Sequence, residues 1–328
     1  MYERELETAV EIVFEVCGLT RRVQEAIVAA GDAVTKGDRS PVTLADMAAQ
    51  VMVSRHLGEQ FADDPLLAEE DSDALATSDG MATRVLAEVR SHFPNMTHDA
   101  MVTALDRGDH RGGDNGRYWV LDPIDGTKGF LRGDQYAVAL ALVDGGQVVV
   151  GVLGCPNLPA PASRGSSSDT GWLFGAARDG GAWGRAIGRD NRSAIEVDSV
   201  TDSAHAVVCE SVVAAHAAHS LQGRIAERLG VSAKPYRIDS QCKYAVVARG
   251  DASIYLRLPR DTSYREKVWD HAAGALVVEE AGGRVTDLNG DPLDFSKGRL
   301  LGNHRGIVCT NGAIHDQVLE AARAEMVG

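Results

Sequence analysis

The sequence predicts a mixed α+β and α/β chain, and three observations carry that expectation. Apolar residues recur at helical spacing near the N-terminus, glycine-centred hairpin signals follow, and strands alternate with helices from about residue 204. The change of pattern divides the chain near residue 203, into an N-terminal α+β part, 1–203, and a smaller C-terminal α/β part, 204–328. With 328 residues and 44% apolar content the chain can fill a sizeable core, which excludes a disordered or fibrous protein.

From Glu3 to about Ala30, the series Leu6, Val10, Val13, Cys17, Val23 and Ile27 predicts an amphipathic helix with a break near Gly18, stopped by Gly31 and Asp32. A second helix is expected from about Leu44 to Phe61, opened by Thr43-x-x-Asp46 in the pattern of a capping box. A third falls near Ala82–His92. Leu105–Arg117, rich in Gly, Asp and Arg, reads as an exposed loop, and Tyr118–Leu121 as a short apolar strand. Ala137–Val143 and Val148–Leu153, joined by Asp144-Gly145-Gly146-Gln147, predict a hairpin; Pro156–Gly171 predicts a loop. Leu173–Ala177 and Ala182–Arg185 flank Asp179-Gly180-Gly181 as a further hairpin. Beyond it the expected order is strand Ala206–Cys209, helix Leu221–Leu229, a strand near Arg237, helix Cys242–Arg249, strand Ser253–Arg257 and helix His271–Ala281.

Lys and Arg total 33 against 47 Asp and Glu, a formal charge of −14, which argues against non-specific binding to nucleic acid or to an anionic membrane. A phosphate ligand would need local cations or a metal. The five cysteines are odd in number, widely spaced and without a CxxC pair, as in a reducing compartment. The N-terminal residues carry neither a signal nor a transit pattern, and no uncharged apolar run reaches spanning length, so a soluble cytoplasmic protein is expected.

The most informative stretch is Trp119-Val120-Leu121-Asp122-Pro123-Ile124-Asp125-Gly126-Thr127-Lys128-Gly129-Phe130. An apolar strand delivers Asp122 and Asp125 into a Pro- and Gly-containing turn, where their side chains and the Ile124 carbonyl could converge as hard oxygen ligands for magnesium or calcium. Gly126 and Thr127 would then open a short helix whose free N–H groups suit an anion. The same two aspartates equally well cap and turn the chain. Phe61–Asp73 holds six acids and no base, including Glu69-Glu70-Asp71, and taken alone a solvated charge run is its commoner explanation. Asp46 also reads as a helix cap, and Asp270 as the start of a helix. Together, five carboxylates at strand ends and helix starts are the set that a phosphatase using several magnesium ions needs.

Lys36-x-Asp38-x-Ser40-Pro41-Val42-Thr43-x-Ala45-Asp46, Glu69-Glu70, Asp122-Pro-Ile-Asp125-Gly126-Thr127 and Trp269-Asp270-x-Ala272-Ala273-Gly274 resemble, in order, the motifs of the lithium-sensitive, magnesium-dependent phosphatase superfamily that includes inositol monophosphatase. Within it the chain is most similar to the 3′(2′),5′-bisphosphate nucleotidases, through Lys128-Gly-Phe-Leu-Arg132-Gly133, Asp239-Ser240-Gln241-x-Lys243-Tyr244, Tyr255-Leu-Arg257-Leu-Pro259 and Tyr264-Arg-Glu-Lys-x-Trp269-Asp270-His271. One departure is Ala217-Ala218 before His219, where relatives often have Ser-Ser.

The resemblance implies a layered α/β/α/β/α fold. It implies that Glu69, Asp122, the Ile124 carbonyl, Asp125 and Asp270 hold two or three magnesium ions. Asp46 matches both a ligand and the partner of Thr127 in activating the attacking water. The Gly126 and Thr127 amides match the scissile-phosphate site, and His219, Ser240, Lys243 and Arg257 match nucleotide contacts. The expected activity is hydrolysis of the 3′-phosphate of adenosine 3′,5′-bisphosphate, inhibited by lithium, with 3′-phosphoadenosine 5′-phosphosulfate as a second substrate and a monomer as the working unit. The alternatives are an inositol phosphate 1-phosphatase and a catalytically silent nucleotide sensor.

Overall fold

In the computed structural model, which describes residues 1–30, 40–77, 80–161, 170–212, 221–259, 264–302 and 305–327, the first two periodic segments become α1 (Glu3–Ala30) and α2 (Ser40–Gln60). α1 runs through Gly18 without the expected break. Leu19 and Thr20 are fully buried beyond it, and the Thr20 hydroxyl donates to the Val16 carbonyl at 3.0 Å, so packing outweighs the poor helix propensity of one glycine. α2 begins ahead of Thr43, which places Asp46 inside the helix rather than in a capping box. The expected stop at Gly31 and Asp32 lies outside the described residues.

After β1 (Leu66–Ala68), α3 (Met81–Arg90) corresponds to the third expected helix, whereas α4 (His98–Asp106) has no counterpart among the expected elements. Thr97 caps α4 by accepting the Ala100 N–H at 3.2 Å, and Met101, Ala104 and Leu105 bury its inner face. The loop expected from Leu105 therefore begins after Asp106.

β2 (Arg117–Asp125) is longer than the expected strand and carries both aspartates of the central motif. The turn expected there is instead a bulge, because the register with β3 (Ala137–Asp144) shifts between Asp122 and Asp125 around Pro123, which has no N–H for the ladder. α5 (Thr127–Leu131) follows at once. β3 and β4 (Gln147–Pro159) form the expected hairpin, with positive φ at both Gly145 and Gly146. β4 continues through Pro159, into the segment expected as loop. β5 (Thr170–Ala177) and β6 (Ala182–Ala186) make the second hairpin, and β7 (Ser193–Ala194) completes a seven-stranded sheet in sequential order, antiparallel except for β1 beside β2.

A second sheet takes β8 (Val208–Glu210), β9 (Tyr236–Arg237), β10 (Ile254–Arg257), β11 (Arg284–Thr286) and β12 (Ile307–Thr310) in the order β11-β12-β10-β8-β9. β8 is parallel to both its neighbours, as strand–helix alternation implies, but β12 is antiparallel to β10 and β11. α6 (Leu221–Arg228), α7 (Cys242–Ala248) and α8 (Ala272–Glu280) lie within one residue of their expected bounds, and α9 (His315–Val327) ends the chain's regular structure.

α1 and α2 cover one face of the larger sheet, α7 and α8 fill the space between the two sheets, and α6 and α9 cover the outer face of the smaller one. The layers thus run helix, sheet, helix, sheet, helix. α8 is buried from Ala272 to Val278, as a helix between two sheets must be. Among the described residues, no helix is long and apolar enough to cross a membrane.

The middle strand β4 admits helices on both faces through glycines. A Cβ at Gly154 would collide with Val13 and Cys17 of α1, and one at Gly151 would lie 2.7 Å from the Ala273 carbonyl of α8. The Gly151 contact is with backbone, which cannot rotate away. Gly151→Ala is expected to destabilise the fold by about 1–3 kcal/mol, the usual cost of overpacking a core, read as a lowered urea midpoint with unchanged slope.

Candidate active site

The acids singled out in the sequence come from four separate segments and meet in one cleft. Asp46 lies within α2 and is 5% exposed; Asp122 lies on β2 and is 2% exposed. Asp125 ends β2 at the bulge, Glu69 follows β1, and Asp270 ends the single 3₁₀ turn Val268–Asp270 that leads into α8. Their mutual influence shows how near they stand. Burial, then Glu69, Asp125, Asp270 and Asp46, hold the Asp122 carboxyl well above the usual carboxylate range. Burial, then Glu70 and Glu69, do the same to Asp46. Asp125 is pushed up to about 6 by burial and Asp270, with Lys243, Arg257 and the Gln241 N–H pulling the other way. Glu69 is pushed up to about 8 by burial, Glu70, Asp270 and Asp125, against Lys267. Glu69 is exposed at the cleft mouth, so its shift is the one that water and salt screen most.

Such a cluster suits cations, and one atom tests the fit. Asp122 Oδ1 is buried and, among the described residues, accepts no hydrogen bond. A buried acceptor without a partner is costly, and a hard cation would satisfy it as well as the surrounding charge.

Three side chains that the sequence reading did not single out tie these segments together. Gln50, one turn after Asp46 and fully buried, donates to the Glu70 carbonyl at 2.7 Å and accepts the Glu70 N–H at 3.1 Å. Arg299 donates to the carbonyls of Ala68 at 2.6 Å and His110 at 3.1 Å while lying 4.8 Å above the Trp269 ring, joining the segments of Glu69 and Asp270. The Gln241 N–H donates to Asp125 Oδ2 at 2.5 Å, and its side chain donates to the Trp269 carbonyl and accepts the Gly274 N–H. Gln50 was legible in principle, since residues four apart share a helix face.

On the Asp125 side the cleft carries the expected cations. Ser240 adopts φ +66°, unusual for a residue with a side chain, and its hydroxyl accepts the Cys242 N–H at 3.2 Å. Gly126, at φ +93°, lies so close to it that a Cβ would be 2.7 Å from the Ser240 Cβ. Lys243, 7% exposed, holds its ammonium 5.2 Å from the Tyr255 ring centroid. Arg257 donates from Nη2 to Asp270 Oδ2 at 2.8 Å. Arg132 bonds both Asp134 and Asp239, so the segment after Thr127 is tied to the Ser240 turn. Thr127 opens α5 and is exposed, as is Lys128, and Ile124 is buried at the bulge. His219 lies outside the described residues. A pocket of about 910 Å³ is lined by Glu69 of the cluster and by Glu70, Arg111, Lys297 and Arg299.

Residues 1–326 match the profile of the Inositol monophosphatase family. The chain is 40% identical over 338 residues to the 3′(2′),5′-bisphosphate nucleotidase of Schizosaccharomyces pombe, covering 98% of this chain and 96% of that protein. It is 43% identical over 339 residues to the 3′(2′),5′-bisphosphate nucleotidase of Oryza sativa, covering 98% and 94%. Among solved structures, Mycobacterium tuberculosis SuhB superposes with a TM-score of 0.62 at 21% identity over 98% of this chain and 96% of that one. The inositol monophosphatase of Anabaena gives 0.60 at 21% identity over the same shares. These structural likenesses establish the fold.

The raised carboxyls set the pH dependence. In the unfolded chain these acids titrate at about 4, whereas in the fold Asp125 is pushed up to about 6 and Glu69, more exposed, is raised up to about 8 at most. Between those limits the folded state binds more protons, so stability falls as pH rises and is fully retained only in the acidic part of the window. In chelator-treated protein the melting temperature is expected to drop from pH 5 to pH 8 by more than in an Asp122→Asn variant. A wild-type profile parallel to the variant's would remove the cluster as the cause.

Proposed function

The chain belongs to the inositol monophosphatase family, and we propose that it acts as a 3′(2′),5′-bisphosphate nucleotidase, hydrolysing the 3′-phosphate of adenosine 3′,5′-bisphosphate to AMP and phosphate. The observation that carries this reading is the joint action of Lys243 and Arg257 on Asp125, which puts two cations beside the acid cluster. A monophosphate needs one anion site. A bisphosphate needs a second, held by side chains rather than by metal, and an Arg with a Lys provides it. Relatives that are 40% and 43% identical, each over nearly the whole chain, bear the same activity in their names.

Glu69, Asp122, the Ile124 carbonyl, Asp125 and Asp270 would hold two or three magnesium ions, since all are hard oxygen donors around the partnerless Asp122 Oδ1. Bound there, the ions neutralise the acids, polarise the phosphoryl oxygens and acidify a water. Asp46 and Thr127 orient the attacking water, on helices α2 and α5 that lie against each other. The Gly126 and Thr127 amides receive the scissile phosphate. Ser240 and His219 contact the nucleotide, and Lys243 with Arg257 holds the phosphate that is not cleaved. We further propose that 3′-phosphoadenosine 5′-phosphosulfate is a second substrate and that lithium competes for one cation position. Five free, buried cysteines support a cytoplasmic setting.

Two substitutions test this division of labour. Thr127→Ala should lower turnover by about two to four orders of magnitude, the range for lost general-base assistance, with little change in nucleotide affinity. Near-normal turnover at saturating magnesium would remove Thr127 from the mechanism.

Arg257→Ala should weaken the bisphosphate by about 1.5–3 kcal/mol, the worth of a charge-assisted hydrogen bond, and barely affect 3′-AMP. Phosphate release from the two nucleotides and from inositol 1-phosphate measures both effects. A wild type that prefers inositol 1-phosphate would replace the nucleotidase reading with an inositol phosphate 1-phosphatase.

A further inference from the structure

Glu266 is 2% exposed, in a place where a carboxylate is costly unless it is paired. Its Oε2 is ion-paired with Arg257, 2.8 Å from Nε, and accepts from His271 Nε2 at 3.1 Å. His271, fully buried, has its Nδ1 2.7 Å from the hydroxyl of Tyr244, which is itself fully buried. With Nε2 donating to Glu266, Nδ1 accepts from that hydroxyl. At its other end the Arg257 guanidinium donates from Nη2 to Asp270 at 2.8 Å and to the Tyr264 hydroxyl at 3.0 Å. Two acids therefore pair with one guanidinium through two different nitrogens.

That division matters because a guanidinium favours two parallel bonds to a single carboxylate. Without charge at Glu266, Arg257 gains by turning a second nitrogen onto Asp270, which would occupy both partners with each other. With Glu266 ionised and anchored through His271 and Tyr244, Nε is committed to the protein interior. Arg257 then meets Asp270 through Nη2 alone and keeps 31% of its side-chain surface exposed.

We infer that Glu266 is a positioning residue for substrate specificity, holding the Arg257 guanidinium in the orientation that accepts a second phosphate. This rests on the reading of Arg257 as the holder of the phosphate that is not cleaved. It also accounts for Glu266, Asp270 and His271, whose ligand atoms lie within 4.8 Å of one another: both acids of this trio pair with the Arg257 guanidinium, and His271 bonds Glu266.

The test is kcat and KM on adenosine 3′,5′-bisphosphate and on 3′-AMP for wild type, Glu266→Gln, Glu266→Asp, Arg257→Ala and the double variant Glu266→Gln/Arg257→Ala, with a melting curve for each. Glu266→Gln should lower the ratio of the two efficiencies by about tenfold, within the span that loss of an outer partner costs a binding group, chiefly through KM for the bisphosphate. In the Arg257→Ala background it should change the ratio no further, because a purely structural defect would act on both nucleotides and in both backgrounds. Glu266→Asp, which keeps the charge, should restore part of the ratio; if Glu266→Gln fails to fold, its ratio against wild type carries the comparison, and an unchanged value overturns the inference. A ratio kept in Glu266→Gln but lost in Arg257→Ala overturns the role of Glu266 alone. A wild-type ratio near unity overturns the reading of Arg257 and the inference with it.

Discussion

Repulsion among the carboxylates around Asp122 is the constraint that the rest of the structure has to meet. Desolvation and like charge act in the same direction on Asp46, Asp122, Asp125 and Glu69, each raised by burial first and by its neighbours next. A chain with a net charge of −14 supplies no general counter-field. The acids must be forced together by the scaffold. Their contributors lie far apart in sequence, so the force comes from tertiary contacts: the bulge that ends β2, the burial of α2 on the larger sheet, and the close approach of α8 to Gly151 of β4.

The means of attachment are informative. Gln50 and Gln241 are neutral, and Arg299 spends its charge on main-chain carbonyls and on the face of Trp269. All three fix backbone near an acid without giving that acid a permanent counter-ion. A Lys or Arg set directly on Asp122 would relieve the repulsion more simply, but it would compete with any cation for the same oxygens. The partnerless Asp122 Oδ1 is the visible outcome of this choice. The framework thus retains a charge deficit in the cleft, one that a diffusible cation can fill and a protein side chain does not.

Much of this was legible in the sequence because the informative features are local. The hairpin glycines and the Asp122–Thr127 run each announce themselves within a dozen residues, the alternation after residue 204 is a succession of such short signals, and the corresponding elements are present. What escaped is non-local. Thr43-x-x-Asp46 reads as a cap, yet α2 begins earlier and Asp46 is an interior residue whose partners are Glu69 and Glu70. Gly18 reads as a break, yet the buried Leu19 and Thr20 carry α1 across it. β2 reads as ending at Leu121, because Pro123 is a poor strand residue unless a bulge receives it. Gln241 and Arg299 could not be singled out from pattern, since an amide or guanidinium that bonds main chain has no spacing rule of its own, and only Gln50 had a spacing, four residues after Asp46, that pointed to the site.

Arg257 is the exception that clarifies the design. Among the described residues, it forms the one ion pair to any of the five acids. Its partner Asp270 keeps 17% of its side chain exposed, so this pair lies at the edge of the cluster, where dielectric screening makes exchange cheapest. A guanidinium paired there with Glu266 through Nε has further donors, and on the proposed reading these would pass from Asp270 to an incoming anion. On the proposed roles of these residues, an anion there would supply the negative charge that Asp270 now provides and would leave Asp270 to a cation. Cation binding on one side of the cleft and anion binding on the other would then be coupled through a single residue, with the same sign in both directions.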